Sequence, residues 1–130
     1  MYREFDPKDI LRRLENMIGE EYEEPNGCLL FVKRALAEFG VQIEATPGSI
    51  LRDGRLFIRV DKPVLGDIII WRFADVPGFL ERDFHVGVMV DSRRAIQSSK
   101  NTNGVGRIEI TRWPWQAAFR GFYRAKQLCS

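Results

Sequence analysis

The sequence predicts an α+β domain in which N-terminal helices pack on an antiparallel sheet of five to six strands. Three observations carry this. Apolar residues recur at helical spacing up to about Gly40. Beyond Leu56 the period becomes that of strands, in short runs separated by Gly, Asn, Asp and Ser. Helices first, then consecutive strands with short connections, is the order of an α+β fold and not of alternating βαβ units. With 130 residues, 45% hydrophobic and 29% charged, the chain is one domain able to bury a core without metal or disulfide. No repeat, low-complexity tract or linker divides it. Residues 1–25 read as an N-terminal helix and turn, and 26–130 as the core that carries the chemistry.

Asp6-Pro7 caps the first helix, expected over 8–19, whose apolar residues Ile10, Leu11, Leu14, Met17 and Ile18 share a stripe. Gly19 and the acidic run to Glu24 end it, and Pro25-Asn26-Gly27 makes a turn. A second helix is expected over 28–39, presenting Leu29, Val32, Leu36 and Phe39, with Gly40 as its stop. Thr46-Pro47-Gly48-Ser49 and Arg52-Asp53-Gly54 are loop signals. Strands follow at 56–60, 68–71, 84–90, 94–99, 106–111 and 120–126. Asp67, after Gly66 and before an apolar strand, reads as a turn-capping residue. The connection 72–83, containing Pro77-Gly78, is long enough to wall a cleft.

A net charge of +2 is too mild to demand a polyanionic partner. The acids concentrate early (Glu15, Glu20, Glu21, Glu23, Glu24), and the C-terminal third is basic. Arg107, Arg112, Trp113, Trp115, Arg120, Tyr123, Arg124 and Lys126 interleave aromatics with cations, as single-strand binders do. Against that reading, Ile108, Ile110, Phe122 and both tryptophans are expected to fill a sheet core, so no nucleic-acid partner is expected. One histidine among scattered carboxylates makes no metal-ligand cluster, and neither metal nor cofactor is expected. Two distant cysteines, one penultimate, argue for a reduced protein. No apolar run reaches membrane-spanning length, and Met1 to Asp6 shows no secretory pattern. The expectation is a chain cytoplasmic as synthesised, with no membrane insertion; the sequence sets no oligomeric state.

The chemistry converges on three residues. Cysteine attacks as a thiolate, and a helix N-terminus lowers its pKa through unpaired N–H groups and the helix dipole. Cys28 follows Asn26-Gly27 at the expected first turn of the second helix, where its own N–H can also face a developing oxyanion. Alone, such a cysteine is by default a small buried hydrophobe. His85, the only histidine, opens the strand Phe84-His85-Val86-Gly87-Val88-Met89-Val90. Strand alternation puts His85, Gly87 and Met89 on one face, and across a turn near Asp91-Ser92-Arg93 the same face carries Ala95, Gln97 and Ser99. Gln97 is therefore expected to bind one ring nitrogen of His85 and fix its tautomer. Gly87 and Ala95 leave room on that face, where the Cys28 helix is expected to cross and bring its N-terminus to His85.

This order of parts resembles the NlpC-type cell-wall peptidases, a compact papain-like group. The matching segments are Cys28 opening a helix, Gly66-Asp67-Ile68-Ile69-Ile70-Trp71, His85-Val86-Gly87-Val88-Met89-Val90, Ala95-Ile96-Gln97-Ser98-Ser99 and Gly121-Phe122-Tyr123-Arg124, together covering residues 20–126. The resemblance implies a papain-like NlpC-type fold and a thiol hydrolase cleaving amide bonds in peptidoglycan stem peptides through a thioester. It implies Cys28 as nucleophile, His85 as general base and acid, Gln97 as the third polar residue, and Tyr22 at the substrate cleft. The family usually has aspartate before the cysteine and serine-glycine after it; this chain has Gly27 and Leu29-Leu30. The third position, commonly histidine, is Gln97. A catalytically silent assembly module on the same fold, as in phage tails, is the competing expectation. A phage particle, lysis or a secretion apparatus is the implied delivery route to a cell-wall substrate.

Overall fold

Six strands form one antiparallel sheet in the order β1-β6-β2-β3-β4-β5. They are β1 (Phe57–Val60), β2 (Ile68–Arg72), β3 (Phe84–Met89), β4 (Arg94–Ser99), β5 (Gly104–Glu109) and β6 (Phe119–Ala125). Helices α1 (Pro7–Glu15) and α2 (Gly27–Ala37) precede them, and the single-turn α3 (Trp115–Ala118) leads into β6. The computed structural model describes residues 6–23, 26–43, 54–79 and 84–128. Pro25, the loop signals at 46–49 and 52–53, and Cys129 lie outside the described residues. Strands β2 to β5 form a meander, and β6 returns between β1 and β2. This is the α+β architecture that the sequence predicts.

Each sheet face has its own core. Ile68, Ile70, Val86, Val88, Ile96, Val105 and Tyr123 face Ile10 and Leu14 of α1 and Phe31, Val32, Ala35 and Leu36 of α2. Ile69, Trp71, Met89, Ala95 and Ile108 face the other way, against Phe73, Val76, Trp115 and Ala118. Strand β2 is buried on both faces, which is why 68–71 reads as an unbroken apolar run. Helix α2 buries Val32 and Leu36 as expected, but its seam runs through Phe31 and Ala35, leaving Leu29 only half-buried.

Helix α1 begins as its residues dictate: Pro7 is its first residue, and the Asp6 carboxylate accepts the Lys8 N–H at 3.0 Å. It ends at Glu15, a turn earlier than periodicity alone suggests, because tertiary hydrogen bonds compete for the chain. Gly19 N donates to Val105 O, and Val105 N donates to Glu20 O, both at 2.8 Å, laying this segment along β5. The approach is so close that a Cβ on Gly104 would sit 2.4 Å from Glu20 O. Covering an edge strand in this way removes a surface for unwanted pairing.

Asp67 has the structural role its position suggests. Its fully buried carboxylate accepts Arg124 Nε, a second Arg124 N–H, and Val64 N, each at 2.8 Å. Its backbone joins the β3 end, with Met89 N donating to Asp67 O at 2.7 Å. The β1–β2 turn, β3 and β6 are thus tied at one residue.

One expectation fails here. Trp113 was expected in the core with Trp115, but it is 64% exposed while Trp115 is buried. The single turn of α3 turns only one of the two indoles inward, and Trp115 occupies the slot beside Trp71, their ring centres 4.9 Å apart.

Candidate active site

His85 sits at the second position of β3, directly across the ladder from Trp71 of β2. The imidazole stacks on that indole with centres 5.4 Å apart and planes 28° apart. Phe73 and Trp115 complete the surround, each ring centre 6.0 Å from that of His85. The residue keeps partial solvent exposure, but its ring is the part these three aromatics enclose. Burial pushes the His85 pKa down to about 4, against the opposing effect of its hydrogen bond with Gln97. The resting imidazole is therefore neutral near pH 7.

Which nitrogen holds the proton follows from a relay running to β5. Gln97, fully buried, donates its amide N–H to Thr102 Oγ1 at 2.9 Å. The Thr102 hydroxyl donates to Gly104 O at 2.7 Å. With the glutamine amide so oriented, its Oε1 faces His85 and accepts the Nε2–H at 2.8 Å. The ring is thus the Nε2–H tautomer, with the lone pair on Nδ1. Thr102 was not singled out by the sequence reasoning. Its signal is the turn Lys100-Asn101-Thr102-Asn103-Gly104 ahead of a strand, and Gly106, where a Cβ would fall 2.5 Å from that of Thr102. The aromatic enclosure was missed too, because it depends on the β2–β3 register that pairs Trp71 with His85.

The pairing of His85 with Gln97 across the hairpin is as parity predicts. The register Val88↔Ile96 and Met89↔Ala95, extended, sets Gln97 opposite Gly87 and diagonal to His85.

The expected helix placement is corrected. Helix α2 does not cross the His85 face; it covers the opposite one, against Val86, Val88 and Ile96. The space over Gly87 belongs to Trp71, whose Cη2 lies 3.1 Å from where a Cβ would stand. The helix seam of Phe31, Val32, Ala35 and Leu36 packs on the aliphatics of the Val86 face, while the His85 face is filled by Trp71, Phe73 and Trp115.

Cys28 is the second residue of α2, half-buried and packed against the helix-side core. No acidic side chain lies in the first turn of α2, and the Asn26 side chain makes no cap hydrogen bond to it. Phe84, next to His85, packs against that same core. The structure therefore joins His85 directly to Gln97, and sets Cys28 and Tyr22 on the α2 side of the sheet.

Tyr22 meets Phe31 edge-on at 6.2 Å. Its hydroxyl donates to Glu20 Oε1 at 3.0 Å and accepts from Arg34 at 3.4 Å. Burial and the Glu20 contact hold its pKa above the usual value. The connection after β2 does border the site: Phe73 touches His85, and Phe79 packs on Phe73 at 5.2 Å and on Trp113 at 5.8 Å. Among the described residues, no group of three or more His, Cys, Asp or Glu is arranged for a metal ion. No helix among them is long and apolar enough to cross a membrane.

No protein-family model matches the chain, and no curated protein matches it in sequence. Solved structures do match in fold. One is a Staphylococcus aureus protein described as similar to lipoprotein, NLP/P60 family, with TM-score 0.70, 15% identity, and coverage of 94% of this chain. Another is an NlpC/P60 family protein from Bacillus cereus, with TM-score 0.71, 20% identity, and coverage of 95%. The chain spans 43% and 41% of their respective lengths. It has the NlpC/P60 fold.

Proposed function

We propose that this chain is a thiol hydrolase of amide bonds, acting most naturally on peptidoglycan stem peptides. The observation that carries the reading is the relay His85–Gln97–Thr102–Gly104. It fixes one imidazole tautomer through the buried Gln97 and the half-buried Thr102 and Gly104, an arrangement a merely structural histidine does not need. The likeness in fold to NlpC/P60 proteins supports the reaction class.

In this reading the Nδ1 lone pair of neutral His85 takes the proton of Cys28 Sγ as the sulfur attacks the amide carbon. The N–H groups opening α2 receive the developing oxyanion. Collapse of the tetrahedral adduct breaks the C–N bond, and the imidazolium returns its proton to the departing amine. His85 then draws a proton from water, which attacks the thioester and releases the acid. Gln97 accepts from Nε2–H throughout and keeps the ring in plane, acting as a positioning residue. This mechanism requires Cys28, at the start of α2, and His85, at the start of β3, to approach one another at that rim of the sheet. Tyr22 borders the cleft on the α2 side.

The test is hydrolysis of a broad set of peptidoglycan fragments by the wild-type chain and by Cys28→Ala. Release of new amines by wild type alone supports the reading. Equal release by both overturns it, as does no release by either, which leaves the assembly module.

A further inference from the structure

The far side of the His85 aromatic cluster opens into a groove of about 410 Å³, lined by Arg94, Arg107, Glu109, Arg112, Trp113 and Trp115. We propose that this groove binds a ligand carrying a flat ring beside a phosphate, that is, a nucleotide unit. Its volume falls within the range of small-ligand sites.

Two features select the chemistry. The first is charge. Three arginines line the groove beside one lining carboxylate, Glu109. With Asp91 and Glu15 each guanidinium has a carboxylate partner, so what a phosphate meets is their remaining N–H donors. Each guanidinium is steadied from one side: Arg94 by Asp91 at 2.7 Å, Arg107 by Glu15, and Arg112 Nε by Glu109 at 3.2 Å. A guanidinium has five N–H donors, so a single carboxylate partner orients it and leaves donors for an anion. The second feature is the exposed indole of Trp113, 64% in solvent and propped by Phe79. A large apolar ring held out beside arginines offers a stacking platform for a base. Of the interleaved aromatics and cations in the C-terminal third, the fold removes Tyr123 to the core and Arg124 to Asp67. It gathers Arg107, Arg112, Trp113 and Trp115 with Arg94 in this one groove.

The ring–phosphate chemistry has two sources, a free nucleotide and a single-stranded oligonucleotide. The test is titration of tryptophan fluorescence with AMP, adenosine, inorganic phosphate, a short oligodeoxyadenylate and an acidic peptide. It uses wild type, Trp113→Ala, Arg112→Ala and Cys28→Ala. Trp71 and Trp115 are buried, so quenching by a stacked base reports on Trp113. We expect AMP or the oligonucleotide to quench, with Kd raised about tenfold or more in Arg112→Ala. Quenching should vanish in Trp113→Ala and persist in Cys28→Ala, whose binding is independent of hydrolysis. Per-nucleotide affinity rising with length assigns the oligonucleotide; equal affinity assigns the free nucleotide. Adenosine binding as tightly as AMP overturns the proposal, as does phosphate matching AMP, tighter binding of the acidic peptide, or no binding by any probe.

Discussion

His85 and Gln97 are hydrogen-bonded at 2.8 Å although they are not ladder partners; the register sets Gln97 opposite Gly87. The diagonal contact exists because Gly87 has no side chain to fill the gap. It follows that Gln97 acts on the proton inventory of the histidine ring and not on strand pairing. Replacing it by leucine keeps volume and removes the acceptor. The expected result for Gln97→Leu is about a 100-fold fall in kcat with KM little changed. Stability should fall by about 1–3 kcal/mol, since Thr102 loses a buried partner. Gln97→Glu restores an acceptor and should recover part of the rate while moving the acid limb of the pH profile upward. Loss of KM alone would count against the positioning role.

The low pKa of His85 makes a stability prediction with a definite sign. Its folded value of about 4 lies below the ordinary 6.5, so between these values the unfolded chain binds the extra proton. The stabilisation is fully present above pH 6.5 and is lost as pH falls toward 4. The loss amounts to at most about 3 kcal/mol. Urea unfolding at steps from pH 7 to 4.5 measures it. This is the chain's only histidine, so His85→Leu should flatten the curve in that window. The acid limb of kcat/KM should likewise lie below pH 5.

Local signals made most of this fold legible. Strand β4 spans the predicted 94–99, because Arg94 to Ser99 alternates cleanly between turn signals. The same alternation put His85 and Gln97 on one face. The side on which α2 lies was not legible in the sequence, where the small residues Gly87 and Ala95 suggest space for a helix on the His85 face. That space goes to Trp71 and Trp115, aromatic side chains brought in from β2 and α3, and local alternation does not show which distant side chains fill a face. Thr102 was hidden for another reason: a threonine in a turn has many local uses, and only the fold shows that Gln97 is within its reach.

Gly87 tests the enclosure from the other direction. A Cβ there would stand 3.0 Å from Ile96 O and 3.1 Å from both Gln97 Cβ and Trp71 Cη2. Backbone cannot yield, so Gly87→Ala should displace the indole or open the hairpin. The expected cost is about 1–3 kcal/mol by thermal or denaturant unfolding. The near-ultraviolet circular dichroism of the tilted Trp71–Trp115 pair should change as well. An unchanged spectrum together with an unchanged midpoint would show that the space is not filled as described.

The Asp67–Arg124 pair offers the sharpest separation between fold and chemistry. Asp67 is fully buried and anchors β6 to the β1–β2 turn, whereas the Arg124 side chain keeps 25% of its exposure. Asp67→Ala leaves the guanidinium of Arg124 half-buried and without this carboxylate, and also strips Val64 N of its acceptor. Removing one partner of such a pair is expected to cost about 3–5 kcal/mol. Arg124→Leu strands the buried carboxylate and should cost as much or more. The double variant Asp67→Leu/Arg124→Leu should recover part of the loss, since no charge is then left unpaired. The pair belongs to the turn before β2 and to β6, away from the His85–Gln97–Thr102 relay in sequence and role. The specific activity of the folded fraction should therefore be unchanged in all three variants, and a selective loss of activity without loss of stability would assign Asp67 to the site instead.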